Sequence, residues 1–205
     1  MVKKTNYNVL FTADTHFGSE RALELSRRPF DSVEEMDEVI LKNINDTIEA
    51  NNIDKLFHLG DFGNMDFAKR IKCPVILMIG NYEADEGVNI GNVQTYRDLL
   101  KEKYGFREVD FSTKIKLPGT DKYIALAHKP SQIKRIFDIP ELDRTKLHRD
   151  ISAGLFGHIH GRQFVKKFGI DVGVDANHFY PMTAEDVEFY LNAIAKGYYD
   201  EEVFC

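Results

Sequence analysis

Seven residues with metal-binding side chains occur at five places along the 205-residue chain, and each place ends an apolar run or follows a glycine. They are two carboxylates, one amide and four imidazoles: Asp14, His16, Asp61, Asn81, His128, His158 and His160. Oxygen and nitrogen ligands without a thiolate suit Mn, Fe, Zn, Co or Ni, whereas four imidazoles are too many for Ca or Mg. The set is large enough to bind two divalent ions that share one bridging carboxylate.

Two such ions would give the site a charge that suits a phosphate ester. Two ions, two carboxylates and a bridging hydroxide leave a local charge of about +1 when the ions are counted. Paired metals about 3.5–4 Å apart lower the pKa of bound water and hold the attacking and leaving oxygens of an in-line displacement. The hydroxide would then be the nucleophile, so the residues point to the hydrolysis of phosphate esters.

The elements that must position these residues alternate between strands and helices early in the chain and pair as hairpins later. The spacing of apolar residues predicts helices over 32–50, 65–71 and 93–104 and a last helix that begins at Thr183 and ends at Gly197. It predicts strands over 7–12, 55–59, 74–79, 152–156, 164–167 and 170–174, and a hairpin of 107–117 with 122–127. Residues 131–150 have no clear pattern. The order predicts a mixed α/β sandwich with the metal-binding residues at the carboxyl ends of its strands.

Composition and charge bound the function more loosely. The length favours a single domain over residues 1–205, and the net charge of −6 argues against nucleic acid as a partner. The longest apolar stretch, Val75–Ile79, is far shorter than the ~20 residues that span a bilayer. With only Cys73 and Cys205, a disulfide framework is not indicated, and we expect a reducing, cytoplasmic compartment. The sequence does not indicate an oligomeric state.

The ordered motifs Asp14-x-His16, Gly60-Asp61, Gly80-Asn81, His128 and Gly157-His158-x-His160 resemble those of the calcineurin-like metallophosphoesterases. Residues 15–18, 28–30 and 34–37 are similar to a small bacterial and phage branch of that family. The resemblance implies a four-layer αββα sandwich, two mixed sheets flanked by helices, with two metals, most often Mn, between the sheets. It also implies how the seven residues divide: one ion is bound by Asp14, His16, Asp61 and His160, and the other by Asp61, Asn81, His128 and His158.

One position departs from the family's pattern. Where the third motif usually has Gly-Asn-His, this chain has Gly80-Asn81-Tyr82. The missing histidine is the group that protonates the leaving oxygen in the family, and a tyrosine with a reference pKa of ~10 is a poor proton donor near neutral pH. We therefore expect a phosphodiesterase acting on a small soluble ester, with Tyr82, Asp61 and His128 as catalytic residues.

Other polar residues near the motifs are less certain candidates for contact with substrate or for orienting a ligand. Arg28, Lys129 and Arg162 could contact a phosphate, and His178 could face the cleft, although a surface charge or an ordinary turn is the better explanation of each. Glu83 is either a residue that orients a ligand or the exposed start of a loop. His58, within an apolar run, is expected to be a hydrogen-bonded core histidine.

Two other functions are compatible with the same fold. A scaffold subunit resembling this fold binds partners without catalysis, but retention of all seven ligand positions argues against that here. A nuclease is the other alternative, and the acidic net charge and the lack of a separate DNA-binding segment argue against it.

Overall fold

Two five-stranded sheets form the centre of the fold within the residues that the computed structural model describes, 8–89, 92–140, 148 and 150–200. The first sheet has the order β10-β1-β2-β3-β4, with β1 Val9–Thr12, β2 Lys55–His58, β3 Val75–Met78, β4 Glu108–Asp110 and β10 Met182–Thr183. The second has the order β5-β6-β7-β9-β8, with β5 Ser112–Lys116, β6 Tyr123–Ala127, β7 Ile151–Phe156, β8 Val165–Lys166 and β9 Gly169–Asp171. Parallel and antiparallel pairs occur in both sheets.

Six α-helices flank the two sheets in the described part of the chain, and the last of them packs against the core between the sheets. They are α1 Glu20–Leu25, α2 Val33–Asn51, α3 Asn81–Asn89, α4 Val93–Tyr104, α5 Pro130–Asp138 and α6 Ala184–Ala195, with a 3-10 helix at Met65–Arg70. One apolar core lies between the first sheet and helices α2 and α4, a second lies between the two sheets, and a third lies between the second sheet and α5. Helix, sheet, sheet and helix therefore stack as four layers, which confirms the predicted sandwich.

The long helix α2 shows how the sequence specifies this packing. Ser32 accepts a hydrogen bond from the Glu35 N–H and begins the helix, and the left-handed Asn52 ends it. Met36, Ile40, Ile44 and Ile48 recur at helical spacing and are all buried against the first sheet. Helix α4 ends in the same way at Gly105, whose φ of 83° favours glycine.

The predicted hairpin of 107–117 with 122–127 is wrong in its first arm, which is two strands and not one. Residues 108–110 form β4, which pairs parallel with β3 in the first sheet, whereas Ser112–Lys116 pairs antiparallel with β6 in the second. The chain crosses between the sheets at Phe111. A continuous β-rich stretch gives no signal for such a crossing, because both halves favour extended backbone equally.

The remaining predictions differ from the structure mainly at their ends. The predicted helix 65–71 is a 3-10 helix, and the predicted strands 164–167 and 170–174 are shorter, as β8 and β9. Part of the uncertain segment 131–150 forms α5, while 141–147 and 149 lie outside the described residues, as do Tyr7 and Cys205. No helix in the described part of the chain combines the length and the apolar character needed to cross a bilayer.

Candidate metal centre

All seven predicted metal-binding residues lie at one edge of the two sheets. Asp14, Asp61 and Asn81 follow the parallel strands β1, β2 and β3, while His128 and His158 follow the parallel strands β6 and β7. The Asp14 N–H donates to the Gly60 carbonyl, so the first two loops run side by side. Because the carboxyl ends of both sets of strands meet here, residues up to 146 positions apart come together.

The backbone at these residues is unusual. Five of the seven have positive φ: Asp14 at 57°, His16 at 50°, Asp61 at 55°, His158 at 74° and His160 at 50°. Residues other than glycine adopt positive φ at an energetic cost, and residues with such backbone conformations concentrate at functional sites. The surrounding loops therefore hold the backbone of these five residues in a strained conformation. Such a conformation fixes the directions of the side chains, as a metal site requires.

Two glycines allow the two aspartates to approach the backbone of neighbouring loops. A Cβ at Gly80 would lie 2.3 Å from Oδ1 of Asp61, and one at Gly157 would lie 2.4 Å from Oδ2 of Asp14. The lack of a side chain at these two glycines therefore permits the close approach of the carboxylates. Any larger residue at either position would displace a carboxylate.

The first group of candidate ligands consists of Asp14, His16 and His160, whose potential donor atoms all lie within 4.8 Å of one another. Oδ1 of Asp14 and Nε2 of His16 are buried and have no hydrogen-bond partner. Unpaired buried polar atoms are costly, and here they converge, which is the arrangement expected of ligands for a cation. Burial raises the pKa of Asp14 to about 7 and lowers the pKa of His16 to about 4.

The second group consists of Asp61, His128 and His158, and Asn81 lies among them. Nε2 of His128 is 3.4 Å from Oδ2 of Asp61, 3.0 Å from Oδ1 of Asn81 and 3.2 Å from Nδ1 of His158. Ligand atoms at ~2.1 Å from one ion are separated by roughly 3.0–3.4 Å in octahedral or tetrahedral geometry. The spacing of the second group therefore fits a single coordination shell.

The protonation of His128 supports the same interpretation. Its Nδ1 lies 2.8 Å from the Leu59 carbonyl, which can only accept, so Nδ1 carries the proton. In the neutral imidazole Nε2 is then an acceptor, and it faces the oxygens of Asp61 and Asn81, which are acceptors as well. Burial acts to lower the pKa of His128, but the hydrogen bond that the imidazole donates to Asp61 and the charge of Asp14 outweigh it and raise the pKa. Either a proton or a cation must lie among these atoms.

Asp61 lies between the two groups. Its Oδ2 is 3.4 Å from Nε2 of His128 and 3.7 Å from Nε2 of His16, while its Oδ1 accepts the Tyr82 N–H. One carboxylate oxygen is thus near donor atoms of both groups, as expected for a bridging ligand. Burial favours a higher pKa for Asp61, but the hydrogen bond and charge of His128 more than offset it, so the pKa is lowered and the carboxylate is ionised.

Glu83 holds two loops of the site together, a role that the sequence left undecided. It is fully buried and accepts three backbone hydrogen bonds, from the N–H groups of Asp61, Phe62 and Gly80. It therefore ties the loop after β2 to the loop after β3 and fixes the direction of Asp61. The interpretation of Glu83 as the exposed start of a loop is wrong.

Arg28 does not contact the cleft, contrary to the prediction. Its side chain is fully buried and forms a bidentate ion pair with Asp175, with both distances 2.9 Å, and it donates to the Asp14 and Thr15 carbonyls. Asp175 in turn lies 2.6 Å from Nδ1 of His160. This chain of contacts places the proton of His160 on Nδ1 and leaves Nε2 available as a ligand. Asp175 was missed because an isolated acid after a predicted strand resembles an ordinary turn residue.

The other candidates differ in position. Arg162 and Tyr82 line a cleft of about 410 Å³ over the two groups, and Lys129 lines an adjoining cavity of about 440 Å³. His178 is exposed and is not among the residues that line either cavity. His58 is buried with its Nε2 2.9 Å from the Thr15 hydroxyl, as expected of a core histidine, and burial lowers its pKa to about 3.

A larger cavity of about 470 Å³ lies between α5 and the strands β5 and β6, and none of the seven residues lines it. Its lining side chains include Ile133, Ile136 and Leu126 and it is mostly apolar. The seven candidate metal-binding residues therefore lie outside this cavity, at the sheet edge.

Comparison with protein-family models gives no match, and comparison with curated proteins gives none either. The chain is similar to a solved structure of a protein of unknown function from Aquifex aeolicus, with a TM-score of 0.60 and 24% identity over 88% of this chain and 97% of that one. A second solved structure, of an archaeal phosphodiesterase, has a TM-score of 0.48 and 17% identity over 80% of this chain and 82% of that one. The first of these similarities shows that the fold of this chain occurs in a natural protein of comparable length.

Proposed function

We propose that this chain is a metal-dependent phosphoesterase that hydrolyses phosphodiesters with two bound divalent ions, of which Mn is the first choice. The observation that carries the proposal is the pair of adjacent ligand groups with Asp61 between them. Asp14, His16 and His160 would hold one ion, Asn81, His128 and His158 the other, and Asp61 would contact both. The unpaired buried atoms of Asp14 and His16 support this, because a protein without a cation there gains nothing from burying them.

Two divalent ions at such a site supply Lewis acidity and a hydroxide nucleophile at neutral pH. The chain's own residues contribute orientation and charge. The Leu59 carbonyl and the Asp175 carboxylate each hold a proton on Nδ1 of a histidine, His128 and His160, so that Nε2 faces the centre. Helices α3 and α5 begin at Asn81 and Pro130, beside the site, and their positive ends favour a bound phosphate.

Tyr82 supports a diester rather than a monoester as substrate. Its ring lies edge-on to the His16 ring with centroids 4.9 Å apart, and 42% of the residue is exposed in the cleft. A phenol in this position can donate a hydrogen bond but transfers a proton poorly near neutral pH. A substrate whose leaving oxygen needs little protonation is therefore favoured.

The direct test is hydrolysis of bis-p-nitrophenyl phosphate by metal-free protein supplied with Mn, Fe, Zn, Co or Ni. We expect turnover with at least one ion, and we expect the same ion to raise the melting temperature, because a ligand that binds only the folded state stabilises it by mass action. Neither turnover nor a rise in melting temperature with any of the five ions would contradict the proposal. Stabilisation without turnover would support a metal site but not the enzymatic function.

Tyr82→His should shift the preference of the enzyme toward monoesters with poor leaving groups. An imidazole with a reference pKa of ~6.5 can protonate the leaving oxygen, and general acid catalysis contributes roughly 10²-fold or more. The measurement is the ratio of turnover of phenyl phosphate to that of bis-p-nitrophenyl phosphate. Tyr82→Phe is the matched control, since it removes only the hydroxyl and supplies no acid. If the ratio in Tyr82→His equals that of the wild-type protein, position 82 does not set the preference.

The affinity for metal should fall as the pH falls below 7. Burial raises the pKa of Asp14 to about 7 in the metal-free protein, so a proton competes with the ion at this carboxylate at acidic pH. Between pH 7.5 and pH 6 the ionised fraction of such a group falls about eightfold, and the dissociation constant for Mn should rise by about the same factor. Calorimetric titration at the two pH values measures this directly. A dissociation constant that changes less than twofold would mean that Asp14 is not a ligand or is already ionised.

A further inference from the structure

The cleft over the candidate metal centre and the cavity that adjoins it meet at Asn81, which lines both. We call them the first lobe and the second lobe. The first lobe, with a volume of about 410 Å³, is lined by Arg21, Tyr82 and Arg162. The second, with a volume of about 440 Å³, is lined by Phe111, Lys129 and Arg135. Each lobe is large enough for one substituent of a phosphate, since ligand cavities start at roughly 300 Å³. A phosphate at the centre would therefore have room for a group on either side.

Each lobe also carries two cations. Arg21, Lys129, Arg135 and Arg162 are all exposed, and none of them forms an ion pair with another residue that the structure describes. Asp85 is the one carboxylate in the second lobe, and Asp61 is the one in the first. The lobes thus favour anions although the whole chain has a net charge of −6.

Each lobe finally exposes one large aromatic side chain. Tyr82 in the first lobe is 42% exposed and Phe111 in the second is 43% exposed, whereas the most exposed aromatic residues, Phe189 and Tyr198, line neither lobe. Exposed aromatic rings beside cations are the usual means of binding nucleobases, because a base stacks on the ring while its phosphate pairs with the cation. Phe111 is exposed because the chain crosses between the two sheets at this residue.

From these lobes we infer that the substrate is a dinucleotide-sized phosphodiester with a nucleoside on each side of the scissile phosphate, and that each lobe binds a further phosphate beyond its nucleoside. The inference rests on the proposed function and names its substrate class. In the reaction, water adds its oxygen to phosphorus, the bond from phosphorus to one sugar oxygen breaks, and that oxygen takes up a proton. A phosphomonoester would occupy one lobe only and would leave the cations of the other without a partner.

The test uses dithymidine monophosphate and its two forms with an added 5′-phosphate or 3′-phosphate. All three share the scissile bond, so a difference in kcat/KM reports the added phosphate alone. We expect each added phosphate to raise kcat/KM about tenfold in the wild-type protein, the effect of one charge-assisted contact. The double variants Arg21→Ala/Arg162→Ala and Lys129→Ala/Arg135→Ala should each remove the advantage of one terminal phosphate and keep that of the other.

Arg107→Ala is the matched control, because Arg107 is also exposed but lies at the start of β4, at the opposite edge of the first sheet. It should keep both advantages. If the wild-type protein hydrolyses bis-p-nitrophenyl phosphate but gains less than twofold from either terminal phosphate, the inference is wrong and the proposed function stands. If no diester is hydrolysed, the proposed function fails, and the inference is tested instead by the calorimetric affinity for 5′-phosphorylated dithymidine. Equal affinities for the wild-type protein and both double variants would overturn the inference.

Discussion

Replacing Asp61 by asparagine is expected to reduce the Mn-dependent hydrolysis of bis-p-nitrophenyl phosphate by on the order of 10³-fold. Asparagine has almost the same shape, but it removes the negative charge that lies 3.4 Å from His128 and 3.7 Å from His16. The two ligand groups would lose their shared anion, and the positive charges of two ions would repel each other without it. The measurement is the turnover number under saturating metal, with the metal content of the purified variant determined in parallel.

The variant should still fold, because Oδ1 of Asp61 accepts only the Tyr82 N–H and an asparagine oxygen can do the same. We therefore expect a near-normal circular dichroism spectrum together with less than two bound ions per chain. Asp121→Asn is the control, since this aspartate is fully exposed in the turn between β5 and β6, away from the end of β6 that bears His128. An Asp61→Asn protein that keeps more than a tenth of the wild-type turnover would rule out a bridging role.

That the seven candidate metal-binding residues lie together could be predicted from sequence, because each stands at or just after the end of a predicted strand. Asp14, Asp61 and Asn81 each follow an apolar run by a few residues, and the edge of a parallel sheet brings such positions together without further information. The resemblance to a family implied two groups that share Asp61, and the structure brings together Asp14, His16 and His160 in one cluster and Asp61, His128 and His158 in another. The distance between the two groups could not be predicted from the sequence, because it depends on how the two sheets face each other.

The supporting residues were harder to predict because their roles depend on partners far away in the chain. Arg28 resembled a phosphate ligand, yet its partner Asp175 is 147 positions away, and no local pattern joins the two. Glu83 was left undecided for the same reason, since the N–H groups that it binds belong to two different loops. The crossing of the chain at Phe111 was missed because extended backbone on both sides of it reads as one strand.

Arg28→Met should destabilise the metal-free protein by about 3–5 kcal/mol, the usual effect of removing one partner of a buried ion pair. Asp175, whose side chain is only 8% exposed, would lose its bidentate partner and keep only His160. The carbonyls of Asp14 and Thr15 would lose their donor as well. Since Asp175 orients His160, the affinity for Mn should also fall by about 10–100-fold. Urea unfolding at pH 7 and calorimetric titration with Mn measure the two effects.

Two further variants separate this structural role from contact with substrate. Arg162→Met removes an exposed arginine of the cleft and should change the free energy of unfolding by less than about 0.5 kcal/mol. The double variant Arg28→Met/Asp175→Asn removes both charges, so it should be less unstable than the sum of the single variants by about 0.5–3 kcal/mol. If Arg28→Met is as stable as Arg162→Met and changes only KM, then the guanidinium faces the substrate after all. An additive double variant would mean that Arg28 and Asp175 are not energetically coupled.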